Sequence, residues 1–165
     1  MPDGAIDPFT LVVENIRDAE SRGAVVFTHT EVTGFLRDGD GVAGVVVRDL
    51  FEQQEFTISA SWVINAAGAW VNRILALAGL SRPMSLSKGS MLITNTRLSQ
   101  RVLNRCRPPA SGDIIVPNST VSILGTTSLR VDAVESFEVM PEEAAFLVYE
   151  LSLLVPEIKS ERFIR

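Results

Sequence analysis

Two blocks of short β-rich runs, each flanked by helices, limit the folds open to this chain more than any other feature. In the first block, residues 24–29, 31–38, 44–50 and 55–66 are strand-like, with tight turns between them. The first three of these runs read as a small meander. Residues 61–65 (Ser-Trp-Val-Ile-Asn) form a short continuous apolar run, as expected of a strand covered on both faces. The second block holds residues 85–95, 113–118 and 120–128. Helices are expected before, between and after the blocks. Asp7 can cap the first, Pro8 suits its opening position, Leu11, Val12, Ile16 and Ala19 follow helical spacing, and Gly23 stops it. Residues 69–80 give the second, ending at Gly79. Residues 141–158 give the third, with Pro141 at its start, Glu142 and Glu143 at the positive end of its dipole, and Pro156 at its end. Phe163 and Ile164 then look like the start of a further strand. The order α, β block, α, β block, α predicts a mixed α+β fold rather than a doubly wound sheet.

Several functions are disfavoured by composition. The 165 residues suit one domain or two small lobes. A net charge of −5 argues against a nucleic-acid-binding surface. Three arginines in residues 101–107 (Arg-Val-Leu-Asn-Arg-Cys-Arg) are expected to give a helix or loop an exposed basic side. Cys106 is the single cysteine, so no intrachain disulfide forms, which fits a reducing compartment. His29 is the single histidine, and no His/Cys metal set can be written. The first residues show no secretory leader, and no apolar run reaches the length of a membrane span. Without secretion, the glycosylation sequon at Asn118 carries no weight.

Residues 39–44 (Gly-Asp-Gly-Val-Ala-Gly) match the dinucleotide fingerprint G-x-G-x-x-G. That fingerprint needs a helix behind it, whose N-terminus receives the pyrophosphate. Here Val45, Val46 and Val47 follow, and β-branched residues start helices poorly. Residues 37–41 instead read as a hairpin turn. Three other stretches have positional interest. Asn65-Ala66-Ala67-Gly68 joins an apolar run to a helix; residues so small admit either a flat ligand or close helix–strand packing. Lys88-Gly89-Ser90 could present a charge to an anion or be a solvated edge. Gly125-Thr126-Thr127-Ser128 ends a strand in hydroxyls, either donors to a polar ligand or a hydrogen-bonded turn.

The order of "VINAAGAW", "KGSMLIT" and "ILGTTSLR" resembles the FAD-dependent glycerol-3-phosphate dehydrogenases, most of all the catalytic A subunits of the anaerobic type. The opening 3–35, "VLNRCRPPASGDIIVP" and "PEEAAFLVYELSLLVPEI" fit that type as well, so the resemblance runs nearly end to end. It implies that residues 1–80 belong to the FAD-binding lobe and 81–165 to an antiparallel-sheet substrate lobe with helices. Ala66, Ala67, Gly68 and Trp70 would neighbour the adenine and ribose side of FAD, and Val32 would meet the adenine through its backbone. Lys88, Gly89, Ser90, Thr126 and Thr127 would line the substrate pocket.

The resemblance further implies hydride transfer from C2 of sn-glycerol 3-phosphate to flavin N5, giving dihydroxyacetone phosphate. Electrons would then pass to quinone through electron-transfer and membrane-anchor subunits, with the catalytic subunit cytoplasmic and peripheral at the membrane's cytoplasmic face. The family's N-terminal phosphate loop has no match here, nor do the later stretches whose Arg and Lys grip the substrate phosphate. Where aerobic relatives often carry a His, this chain has Met91. No residue is identified as an acid–base catalyst. The chain is therefore expected to be an internal piece of a larger subunit, inactive alone and weak in FAD binding. Residues 61–65 are expected to be the region most prone to rearrange, because in the family their sheet includes strands of the N-terminal unit. Two other readings stay open: part of a flavin oxidoreductase of the amino-acid oxidase type, or a non-enzymatic binding module.

Overall fold

The computed structural model describes residues 4–108, 110–135 and 137–164. Met1 and Arg165, the ends of the expected internal piece, lie outside them. Within this range the chain forms two compact units, one of residues 15–84 and one of residues 4–14 with 85–164.

The first helix, α1, spans Pro8–Ser21. Asp7 caps it as expected: its carboxylate Oδ1 accepts from the Phe9 and Thr10 backbone N–H groups at 2.9 and 3.1 Å. The helix buries none of its residues.

In the unit of residues 15–84, β1 (Thr30–Asp38), β2 (Gly41–Asp49) and β3 (Glu55–Ser59) form an antiparallel meander in that order. Asp38 pairs with Gly41 across a two-residue turn in which Gly39 has a φ of 57°. The G-x-G-x-x-G match is thus a hairpin, not a phosphate loop. A register shift between Val32 and Gly34 places a bulge in β1. The meander is built from the second, third and fourth β-rich runs, not the first three. Residues 24–29 form no strand, and Val25 and Phe27 are exposed. Residues 61–65 form no strand either; Trp62 is 87% and Ile64 88% exposed. Both runs have strand composition, but β preference is a preference for a pleated, half-covered surface. Neither finds a neighbouring ladder among the described residues. α2 (Val71–Leu77) follows a short 3-10 turn at Gly68–Trp70 and lies against β1, where the Arg37 guanidinium donates to the Ala78 carbonyl at 2.7 Å.

The other unit has a closed core. A four-stranded antiparallel sheet runs in the order β5 (Leu92–Ile93), β8 (Val121–Gly125), β7 (Ile114–Asn118), β6 (Leu103–Asn104). A second ladder pairs β4 (Leu86–Lys88) with β9 (Leu129–Val131). α3 (Pro141–Ser152) and a 3-10 turn at Pro156–Ser160 complete the unit. Leu92, Ile115, Leu124, Leu147, Leu151 and Ile158 form the core, with Ile115 directly opposite Leu124 in the ladder. The expected single strand over 85–95 is two strands in different sheets, broken at Gly89–Met91. Phe163 pairs with Thr94 as an isolated bridge, so the chain's last apolar pair joins this unit's sheet.

Candidate functional site

The break between β4 and β5 has a cause in the opposite segment. Thr127 Oγ1 takes the Ser90 backbone N–H at 2.9 Å, and the Thr127 N–H donates to the Ser90 carbonyl at 3.1 Å. Ser90 is therefore satisfied by residues following β8 rather than by a continuing ladder. Thr126 Oγ1 lies 3.2 Å from the same carbonyl. A Cβ on Gly89 would fall 2.7 Å from Thr126 Oγ1 and 3.1 Å from the Thr127 carbonyl oxygen, so any larger residue at this crossing would have to displace Thr126 and the Thr127 backbone.

Beneath that crossing lies Glu143, in the first turn of α3. Its side chain is only 6% exposed. Oε1 accepts from Ser90 Oγ at 2.7 Å and Thr127 Oγ1 at 2.9 Å. Oε2 accepts from Lys88 Nζ at 2.7 Å and from the Met140 N–H at 3.0 Å. Four donors satisfy one carboxylate, which removes most of the cost of burying its charge. The Lys88 ammonium, then the Met140 N–H, hold its pKa down at about 2 against the upward push of burial; the two hydroxyls add to the lowering. Glu143 was legible in the sequence only as a residue suited to a helix N-terminus. The bond from Met140 is that capping role; the other three come from residues far away in the chain.

Lys88 is accordingly not a solvated edge lysine. Its side chain is 14% exposed, and it donates to Glu143 and to the Glu138 carbonyl. It also borders an open cleft of about 380 Å³ with Val131, Glu135, Glu138 and Met140. Nor is the Gly-Thr-Thr-Ser stretch a self-contained turn, since its hydroxyls reach Ser90 and Glu143. Lys88, Gly89, Ser90, Thr126 and Thr127 are thus brought together. Ser90 and Thr127 are buried, while Gly89, Thr126 and Met91 face solvent.

The arginines of 101–107 depart from expectation only in being paired. Arg105 pairs with Glu150, and Arg107 bridges Asp113 at 2.6 Å and Glu150 at 3.1 Å, so two of the three tie the segment to α3. Arg101 and Arg107 are exposed as expected, but the pairing of Arg105 and Arg107 with carboxylates offsets much of that side's charge.

The remaining site residues lie in the unit of residues 15–84. Asn65 shapes its own turn: its amide donates to the Val71 carbonyl at 2.9 Å, and its Oδ1 accepts from the Ala67 N–H at 3.2 Å. Ala66, Gly68 and Trp70 are exposed and Ala67 half-buried. A Cβ on Gly68 would meet nothing within 4 Å. Its φ of 56° lies in the left-handed region that favours glycine whatever the space around it. Val32 sits on β1 at the edge of the bulge, paired with Val47; a bulge interrupts the ladder and frees backbone groups locally. The backbone is open at Gly68, and β1 is irregular beside Val32. Among the described residues no strand–loop–helix cradle for a dinucleotide's pyrophosphate accompanies them.

Comparison with known proteins bears on this geometry. Residues 1–165 match the family model described as FAD dependent oxidoreductase. The A subunit of the anaerobic glycerol-3-phosphate dehydrogenase of Escherichia coli (strain K12) is 42% identical over 167 residues, covering 100% of this chain and 31% of that protein. The chain thus spans about a third of the length of such relatives. The structure of the glycerol-3-phosphate dehydrogenase from Bacillus halodurans, complexed with FAD, aligns with a TM-score of 0.74 at 25% identity, covering 90% of this chain and 31% of that one. The L-proline dehydrogenase from P. horikoshii aligns with the same TM-score, 0.74, at 22% identity over 96% of this chain and 42% of that one, a likeness of fold alone.

Proposed function

The chain belongs to the FAD dependent oxidoreductase family, and from that premise we propose that it forms part of an FAD-dependent glycerol-3-phosphate dehydrogenase. When bound, FAD would supply the two-electron redox capacity for oxidising sn-glycerol 3-phosphate to dihydroxyacetone phosphate. Electrons leave toward quinone through electron-transfer and membrane-anchor subunits, and the full-length protein works at the cytoplasmic face of the membrane. Among the described residues no helix is long and apolar enough to cross a membrane.

In this reading the unit of residues 15–84 belongs to the FAD-binding lobe. Val32 and Ala66, Ala67, Gly68 and Trp70 hold the adenine–ribose side. The unit with residues 85–164 belongs to the substrate lobe, where Gly89 and Thr126 face the substrate and Lys88, Ser90 and Thr127 stand behind them. The observation that carries the proposal is the convergence of 88–90 with 126–127. Two stretches some forty residues apart close on one another through specific hydrogen bonds and leave Gly89 and Thr126 exposed. The 165 residues alone bind FAD weakly; a tight stoichiometric titration of them with FAD would refute this.

The deciding experiment expresses the full-length polypeptide carrying this segment and records its visible spectrum without oxygen. A flavin spectrum bleached by glycerol 3-phosphate, and not by glycine or sarcosine, is the expected result. Bleaching by the amino acids instead would move the assignment to the amino-acid oxidase type. A colourless polypeptide would favour a binding module.

A further inference from the structure

Capping α3 requires Glu143 to accept only from Met140. Instead, its carboxylate also takes Lys88 Nζ, Ser90 Oγ and Thr127 Oγ1, at 2.7, 2.7 and 2.9 Å. Two of these donors bracket Gly89, and the third follows Thr126 directly. The exposed pair Gly89 and Thr126 therefore stands on a buried frame whose single hub is Glu143. The frame also settles what Lys88 does. Of its three N–H donors, two are committed to Glu143 and the Glu138 carbonyl, and its charge already faces a carboxylate.

We propose that Glu143 is the positioning residue of the substrate edge: it holds Lys88, Ser90 and Thr127 so that Gly89 and Thr126 keep a fixed geometry toward the substrate, and Lys88 serves as its counter-ion rather than as a phosphate anchor. The proposal rests on the substrate-lobe reading above. Glu143 touches no substrate; it acts through the crossing of 88–90 with 126–127. A role confined to folding would show in thermal stability and FAD content. A positioning role must show in the reaction with those two intact.

The test uses the full-length polypeptide and follows anaerobic bleaching of its flavin by glycerol 3-phosphate. Glu143→Gln keeps the side chain's size but puts an NH₂ where one carboxylate oxygen was. It should lower the limiting rate of bleaching by at least about tenfold at unchanged FAD content. Thr127→Val should lower it too, while Thr127→Ser, which keeps the donor to Glu143, should stay within about twofold of wild type. Wild-type kinetics in Glu143→Gln, or equal losses in the two Thr127 variants, overturn the proposal. If Glu143→Gln does not fold, the Thr127 pair decides.

If wild type holds flavin that glycerol 3-phosphate does not bleach, the substrate reading falls by itself, and acetylation of the two lysines decides the Glu143 frame. Lys88, paired and shielded, should react with acetic anhydride about tenfold more slowly than exposed Lys159. Glu143→Gln, or Thr127→Val if that variant is the one that folds, should narrow the gap. Equal rates in wild type, or an unchanged gap in the variant, overturn the frame.

Discussion

The two compact units treat their apolar residues in opposite ways. In the unit with residues 85–164, six aliphatic side chains from three strands, α3 and the following 3-10 turn close on one another. In the unit of residues 15–84, Val47 is the buried aliphatic side chain, while Val25, Phe27, Trp62 and Ile64 are exposed. Their sequences are similarly rich in β-branched and aromatic residues. The difference is partnership. A ladder with a helix laid across it buries one face of each strand; both units have these parts, but α3 sends Leu147 and Leu151 into a core while α2 buries none of its residues. The other unit pairs three strands but leaves residues 24–29 and 61–65 without ladders. Apolar composition therefore measures what a segment can bury, and topology decides what it does bury.

The largest expected effect falls on the closed core. Leu124 is fully buried opposite Ile115. Leu124→Ala should destabilise its unit by about 2–5 kcal/mol, the usual range for a core leucine that leaves a cavity. Hydrogen exchange by mass spectrometry checks this, with amides of β7 and β8 losing protection. Trp62 and Trp70 both lie in the other unit, so their fluorescence should keep its own unfolding midpoint. A shift of that midpoint equal to the core's would break the comparison.

A smaller, pH-dependent effect should mark the Glu143 frame. Its carboxyl is held at about 2, below its unperturbed 4.5. A depressed acid stabilises the fold above its unfolded pKa, and that contribution is lost as pH falls through the folded pKa. The unit with residues 85–164 should therefore weaken progressively between about pH 4.5 and 2. Glu143→Gln should flatten that portion of a stability-against-pH curve measured by urea unfolding. An unchanged slope would mean that the carboxylate gains nothing from Lys88, Ser90 and Thr127.

How legible these features were follows from how local they are. The cap at Asp7 and the hairpin at 38–41 use donors and acceptors within a few residues, and both stand as read. Pro141 marks the start of α3 in the same way, but the helix ends at Ser152, ahead of Pro156, which instead opens the following 3-10 turn. By contrast, the break at Gly89–Met91 depends on Thr127, 37 positions from Ser90, and the hub at Glu143 collects Ser90 from 53 positions away. No local pattern encodes such a meeting. The pairing of Arg105 and Arg107 with Glu150 escaped notice for the same reason. β6 and β9, of two and three residues, are too short for any periodicity to show.

The smallest effect is the most informative about the open unit. Trp62 is almost fully exposed, so Trp62→Ser in this chain should change stability by less than about 0.5 kcal/mol, as for surface sites generally. It should also reduce self-association if the exposed run is adhesive. The same substitution in the full-length polypeptide should be much more damaging, because a run of Trp, Val and Ile is composed for a covered strand. Thermal melts of both forms measure the contrast. A near-zero change in both would mean that 61–65 stays uncovered wherever it occurs. A large change in the 165-residue chain itself would mean that the run is already packed there. The expected asymmetry, harmless in one and severe in the other, locates the missing partnership outside these residues. It also makes the Gly68 turn that follows a site whose surroundings are completed only in the longer protein.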